Sequence, residues 1–172
     1  MKIRANHLPI FLLFLLLFFA AEICVTGYME NGRWEDDFAK AKAEAAEKGR
    51  PILVDFTGSD WCKWCILLDK EVFSKTEFKK YARANLVLFV ADFPRGKKVS
   101  KKTAAQNSEL AKTYAVQGYP TILLVDAEGT VIARTGYKEG GAEAYVKHLQ
   151  ELLKDFKAPE AKPDADQDTK DK

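Results

Sequence analysis

Cys62 and Cys65 stand two residues apart in the run Phe56-Thr57-Gly58-Ser59-Asp60-Trp61-Cys62-Lys63-Trp64-Cys65-Ile66-Leu67-Leu68. A pair at this spacing can close and reopen a disulfide, which is two-electron chemistry between thiols. Only a thiolate attacks a disulfide, and a free cysteine with a pKa of about 8.5 is mostly protonated at neutral pH. The pair therefore needs an environment that favours negative sulfur on one partner. The start of a helix supplies it, through unpaired backbone N–H groups and the helix dipole. Cys62 is expected at that start as the nucleophile. Cys65, one turn along and more buried, is expected to resolve the mixed disulfide by attacking Cys62.

The neighbouring residues tune the pair in opposite directions. Lys63 favours a thiolate at Cys62, which would make the disulfide the better oxidant, but an exposed lysine contributes little. Asp55 closes the apolar stretch Ile52-Leu53-Val54-Asp55-Phe56. Its neighbours argue for burial. There it would disfavour a nearby thiolate and act as a base for Cys65. Trp61 and Trp64 are candidates for an apolar surface that docks unfolded substrates; Trp64, between the sulfurs, reads as docking and Trp61 more as packing. Tyr119-Pro120 precedes a second apolar stretch, and frequency alone favours a trans bond there, since only about 5–6% of such bonds are cis.

The elements that must position these residues follow along the chain. Trp34 to Gly49 reads as a helix capped by Asn31, with Phe38, Ala41, Ala45 and Ala46 as its apolar stripe. Ile52 to Thr57 reads as a strand, Cys62 to Val72 and Thr76 to Ala84 as helices, and Leu86 to Ala91 as a strand buried on both faces. The segment from Asp92 to Lys102 reads as a solvated, lysine-rich loop, with Lys97, Lys98, Lys101 and Lys102 as an alternative site for an acidic partner. Ala104 to Tyr114 reads as a helix. Thr121 to Val125 and Thr130 to Thr135 read as a hairpin, and Ala142 to Phe156 as a last helix with Tyr145, Leu149, Leu152 and Leu153 inside. A βαβ crossover followed by a hairpin and a helix predicts an α/β fold, a mixed sheet with helices on both faces.

Composition narrows the function. The chain has 172 residues, 47% hydrophobic and 30% charged, with a formal net charge of +2. That is enough for one domain with a core, and it argues for no nucleic-acid or membrane-surface partner. Lys2 and Arg4 precede an almost unbroken Phe/Leu run from Ile10 to Ala21. At about 12 residues the run fits a secretory leader and is short for a membrane span. Residues 1–27 are thus expected to be a signal peptide, with an uncleaved anchor as the alternative, and residues 28–157 an exported domain. The third cysteine, Cys24, is expected to be lost or inert. From Ala158 the chain is rich in Pro, Ala, Asp and Lys without apolar periodicity, so residues 158–172 are expected to be disordered.

Other uses of a Cys-x-x-Cys pair are weaker. Structural zinc needs four ligands, usually two such pairs, and here there is one pair, with His7 in the leader region and His148 on the last helix. Covalent haem needs a histidine after the second cysteine, where Ile66 stands. A permanent staple would close too small a loop to restrict the unfolded chain much. No metal and no cofactor are expected beyond the redox-active pair itself.

The residues from about Trp34 to Phe156 resemble the thioredoxin superfamily. The likeness rests on Val54-Asp55-Phe56, Trp61-Cys62-Lys63-Trp64-Cys65, Gly118-Tyr119-Pro120-Thr121 and Gly136. It implies a thioredoxin-like three-layer sandwich, Cys62 as nucleophile, Cys65 as resolving thiol, Asp55 as the buried acid, and a cis Pro120. It also implies that the Tyr119 backbone pairs with a bound substrate strand. Lys63-Trp64 replaces the Gly-Pro usual between thioredoxin cysteines, the segment from Thr57 to Asp60 is one residue longer, and the loop after Asp92 is extended. With the leader, these features are more similar to small exported reductases of the bacterial periplasmic Dsb group, the DsbH type among them. The resemblance implies a periplasmic, monomeric thiol-disulfide oxidoreductase, a net reductase acting on protein disulfides and fed by a membrane thiol-transfer electron donor. The alternatives are a thiol oxidase or isomerase of the same fold, a non-enzymatic binding or chaperone module, and a zinc-binding adaptor.

Overall fold

The computed structural model describes residues 33–157. The expected leader, Cys24, His7, Asn31 and the tail from residue 158 lie outside the described residues. The elements are β1 (Trp34–Glu35), α1 (Phe38–Lys48), β2 (Ile52–Thr57), α2 (Lys63–Leu68) running into a π-helical turn (Asp69–Phe73), α3 (Thr76–Asn85), β3 (Val87–Asp92), α4 (Lys101–Thr113), β4 (Thr121–Val125), β5 (Val131–Thr135) and α5 (Gly141–Leu152). One five-stranded sheet has the order β1-β3-β2-β4-β5. β1, β3 and β2 are parallel, while β4 runs antiparallel to both β2 and β5. This is the mixed sheet expected from the element order, at the centre of a three-layer thioredoxin-like fold.

The period of two along the central strands builds both sides of the core. Ile52, Val54 and Phe56 of β2, with Val87, Phe89 and Ala91 of β3, pack against Phe38, Ala41 and Ala45 of α1 and Tyr114 after α4. Leu53 and Leu88, with Ile122 and Leu124 of β4, face Leu68, Val72, Phe73, Phe78, Tyr145 and Leu149 on the other side. Asp55, Thr57, Val90 and Asp92 share the parity of that second side. The alternation therefore aims Asp55 at the layer containing α2.

Several boundaries differ from the sequence reading. Trp34–Glu35 pairs with Leu88–Phe89 as an edge strand, so the first helix begins only at Phe38. Its cap is Asp37, whose Oδ1 accepts the Ala39 and Lys40 N–H groups, and Glu35 and Asp36 precede the helix. Gly49, in the left-handed region at φ 60°, ends it, and Ala46 is exposed. α4 begins three residues earlier than expected, because the Ser100 hydroxyl caps it by accepting the Thr103 N–H at 3.0 Å. Lys101 and Lys102 thus belong to a helix, with Lys102 Nζ 3.1 Å from Asp37. The helix from Cys62 is also not uniform. At Asp69 it widens into a π turn, in which Ser74 N–H donates to Asp69 O at 2.8 Å and consecutive Val72 and Phe73 both reach the core. α5 stops at Leu152, leaving Leu152 and Leu153 half-buried.

Candidate active site

Cys62 is the N-cap of α2, with extended backbone torsions, and its Sγ accepts the Cys65 N–H at 3.2 Å. Its own N–H donates to Gly58 O at 2.8 Å, and its carbonyl accepts the Ile66 N–H at 3.0 Å. The sulfur therefore sits where the helix has donors to spare. Cys62 and Cys65 form a disulfide, with Cα atoms 5.2 Å apart. Both residues are buried, at 6% and 4% exposure, so the expected contrast in burial is slight.

Asp55 is buried, and its Oδ1 has no hydrogen-bond partner. Desolvation, reinforced by the negative charges of Asp92 and Asp69, pushes its pKa up to about 8. Asp55 and Cys65 line the same cleft of about 420 Å³, together with Thr57, Ser59, Asp69 and Lys97. Carboxyl and second sulfur thus open onto one shared cleft.

The aromatic residues separate into two roles. Trp64 is 50% exposed, with Lys63 Nζ 5.6 Å from its ring centroid and Tyr137 packed on it at 5.3 Å. Tyr137 Oη in turn donates to Glu71 Oε2 at 2.8 Å. Trp61 is 36% exposed and more tightly held: its indole N–H donates to Phe93 O at 2.8 Å, and its ring meets Tyr119 edge-on at 5.8 Å. The Tyr119-Pro120 bond is cis, as the family resemblance implied and base frequency did not. Tyr119 and Pro120 are half-buried beside this group.

The extra residue before the cysteines is pinned to β3. Ser59 N–H and Oγ–H donate to the two oxygens of Asp92, at 2.9 and 2.5 Å. Asp60 accepts the Arg95 and Gly96 N–H groups at 3.0 and 2.6 Å, and these bonds hold its carboxyl below the usual range. The loop expected to be merely solvated thus fastens to the cysteine segment through Asp60 and Trp61. Sequence reasoning singled out its lysines and missed Asp92, Arg95, Asp69 and Tyr137. The only signal was indirect: a segment lengthened by one residue before the cysteines, beside an extended loop, implies that one braces the other. His148 Nε2 lies 2.9 Å from Thr135 Oγ1, and among the described residues no cluster of acids, histidines or cysteines is arranged to hold a metal ion.

A closable cysteine pair at a helix start, over a sheet whose buried acid shares a cleft with the second cysteine, defines a thiol-disulfide oxidoreductase of the thioredoxin fold. The chain belongs to the thioredoxin-like domain family, which it matches over residues 38–153. Within it the chain is of the Dsb type and similar to DsbH. It is 37% identical to the disulfide bond reductase DsbH of Chlamydia pneumoniae over 124 residues, 72% of this chain and 74% of that protein. A solved DsbH oxidoreductase superposes with a TM-score of 0.69 at 37% identity, over 72% of this chain and 85% of that one. Similarity to the thiol:disulfide interchange protein DsbD of Cronobacter sakazakii is 35% over 122 residues, 69% of this chain but only 19% of DsbD.

Proposed function

We propose that the protein is an exported reductase of protein disulfides, working through a mixed disulfide at Cys62. The observation that carries exchange at Cys62 is its sulfur, bonded to Cys65 while accepting a backbone N–H at the start of α2. After reduction the same N–H and the helix start favour a thiolate there.

In the forward reaction the Cys62 thiolate attacks a client disulfide. A Cys62–client S–S bond forms, the client S–S bond breaks, and one client thiolate leaves. Cys65 then gives its proton to the Asp55 carboxylate and attacks Cys62 Sγ. The protein disulfide closes, the second client thiolate leaves, and the two client thiolates are protonated according to the surrounding pH. Two electrons have passed to the client, and a thiol donor must restore them. Burial raises Asp55 far above the ordinary carboxyl range, to about 8, toward the range of thiols, which suits it to exchange a proton with Cys65.

Direction and place rest on further support. A buried acid beside Cys65 disfavours thiolate and so weakens the disulfide as an oxidant. The similarity to a protein named disulfide bond reductase points the same way. The basic start and short apolar run at residues 2–21 support export to the periplasm, where a membrane thiol-transfer protein of DsbD-like chemistry would be the electron donor. Trp64 and the Tyr119-Pro120 backbone are the surfaces for the client, and the sulfur pair carries the electrons without another cofactor.

Trapping tests the reading. Cys65→Ser should accumulate covalent adducts with exported clients that dithiothreitol releases, and Cys62→Ser should accumulate none. A reduction potential near −270 mV supports reduction, whereas one near −120 mV would reverse the direction.

A further inference from the structure

Arg95 is an exposed cation held in a fixed place. Its backbone and that of Gly96 are clamped by the Asp60 carboxylate at 3.0 and 2.6 Å. Its guanidinium lies over Trp61, 3.8 Å from the ring centroid. Trp61 is in turn fixed by its bond to Phe93 O and its contact with Tyr119. A long exposed side chain ordinarily loses rotamer freedom when it binds; here much of that loss has already occurred on folding.

Among the described residues no carboxylate forms an ion pair with the Arg95 guanidinium. Both oxygens of Asp60, the one acid in the two segments concerned, are taken up by backbone N–H groups. Those segments, residues 60–65 and 93–98, carry Lys63, Arg95, Lys97 and Lys98 against that single acid. The disulfide is therefore flanked by two tryptophans that each bear a cation, Arg95 on Trp61 and Lys63 on Trp64. Of the two, Arg95 is on the side of Tyr119, and a planar guanidinium matches a carboxylate in two-point geometry.

We propose that Arg95, mounted on Trp61, is a specificity residue that pairs with a carboxylate on the partner segment, within a few residues of that segment's reacting cysteine. The inference rests on the thiol–disulfide reading of Cys62. It selects acidic over basic surroundings at the exchanging cysteine, in whichever direction electrons flow.

The test uses short peptide disulfides, identical except for Glu, Gln or Lys flanking the cysteine. Second-order rate constants are measured with the reduced protein, and with the oxidised protein and the peptide dithiols. The Glu peptide should react about threefold faster than the Gln peptide and about tenfold faster than the Lys peptide at low ionic strength. At about 1 M salt, where screening acts over about 3 Å, the three rates should converge. Arg95→Gln should shrink the Glu-to-Lys ratio by at least about threefold, and Arg95→Lys should retain part of it. Equal rates for the three peptides, or a ratio that survives Arg95→Gln but falls in Lys63→Gln, would overturn the assignment of Arg95 while leaving the redox reading intact. If no peptide reacts in either direction, the redox reading fails and this proposal fails with it.

Discussion

Ser59 and Asp92 are joined twice, the backbone N–H and the hydroxyl of one residue each donating to a separate carboxylate oxygen of the other. The pair ties the segment entering the cysteines to the end of β3. It also sets a negative charge on the sheet face that bears Asp55, and that charge is one of the causes raising the Asp55 pKa. Asp92 should therefore act on structure and on proton affinity separately. Asp92→Ala leaves two donors unpaired and should cost about 1–3 kcal/mol in denaturant unfolding. Asp92→Asn keeps one acceptor, should cost less, and should lower the pH at which Asp55 ionises. A pH titration of unfolding free energy for the three proteins checks both parts.

Asp55 makes the disulfide form less stable as pH rises. Its folded pKa of about 8 lies above the ordinary carboxyl value near 3.9, so the folded protein holds a proton that the unfolded chain has released. Stability attributable to this group is fully present below about pH 4, declines between about pH 4 and pH 8, and is level above that. At about 1.4 kcal/mol per pKa unit the total is on the order of 5 kcal/mol. Asp55→Asn should flatten this decline and make the oxidised protein more stable than the parent at pH 8.5 or so. The same variant should slow the resolving attack by Cys65. Denaturant titrations across pH, and single-turnover kinetics, measure the two effects.

Gly58 is needed because Trp61 lies against it. A Cβ built at residue 58 would stand 2.5 Å from Trp61 Cε2, closer than any side chain tolerates. Gly58→Ala should displace the indole and weaken its bond to Phe93 O. The expected readouts are altered tryptophan fluorescence and a loss of about 1–3 kcal/mol. Unchanged fluorescence would show that the ring does not rest there.

The two tryptophans beside the cysteines should respond differently to truncation. Trp61→Ala removes a hydrogen bond, the Tyr119 contact and the seat of Arg95, and should destabilise the protein by about 2 kcal/mol. Trp64→Ala removes a ring that is half in solvent and should cost under about 1 kcal/mol, while slowing reaction with an unfolded disulfide client several-fold. Thermal unfolding together with client reduction rates separates the two roles.

Local chemistry was legible in the chain. The cysteine spacing, the apolar stretches at Ile52–Thr57 and Thr121–Val125 and the hairpin that follows depend on neighbours in sequence, and period-two burial then assigns Asp55 a face. The edge strand at Trp34–Glu35 was not legible, because two residues have no period and owe their conformation to the exposed edge of β3. The π turn at Asp69 was equally hidden, since it serves contacts with α3 and α5. Asp92 and Arg95 reach the site from more than 30 residues away in sequence, and no local pattern records such a contact. Sequence by itself determined that two sulfurs could exchange electrons beside a strand-borne acid. Tertiary structure decided which charges surround them, because the energy of a buried carboxyl or a stacked guanidinium depends on distances between segments that only folding brings together.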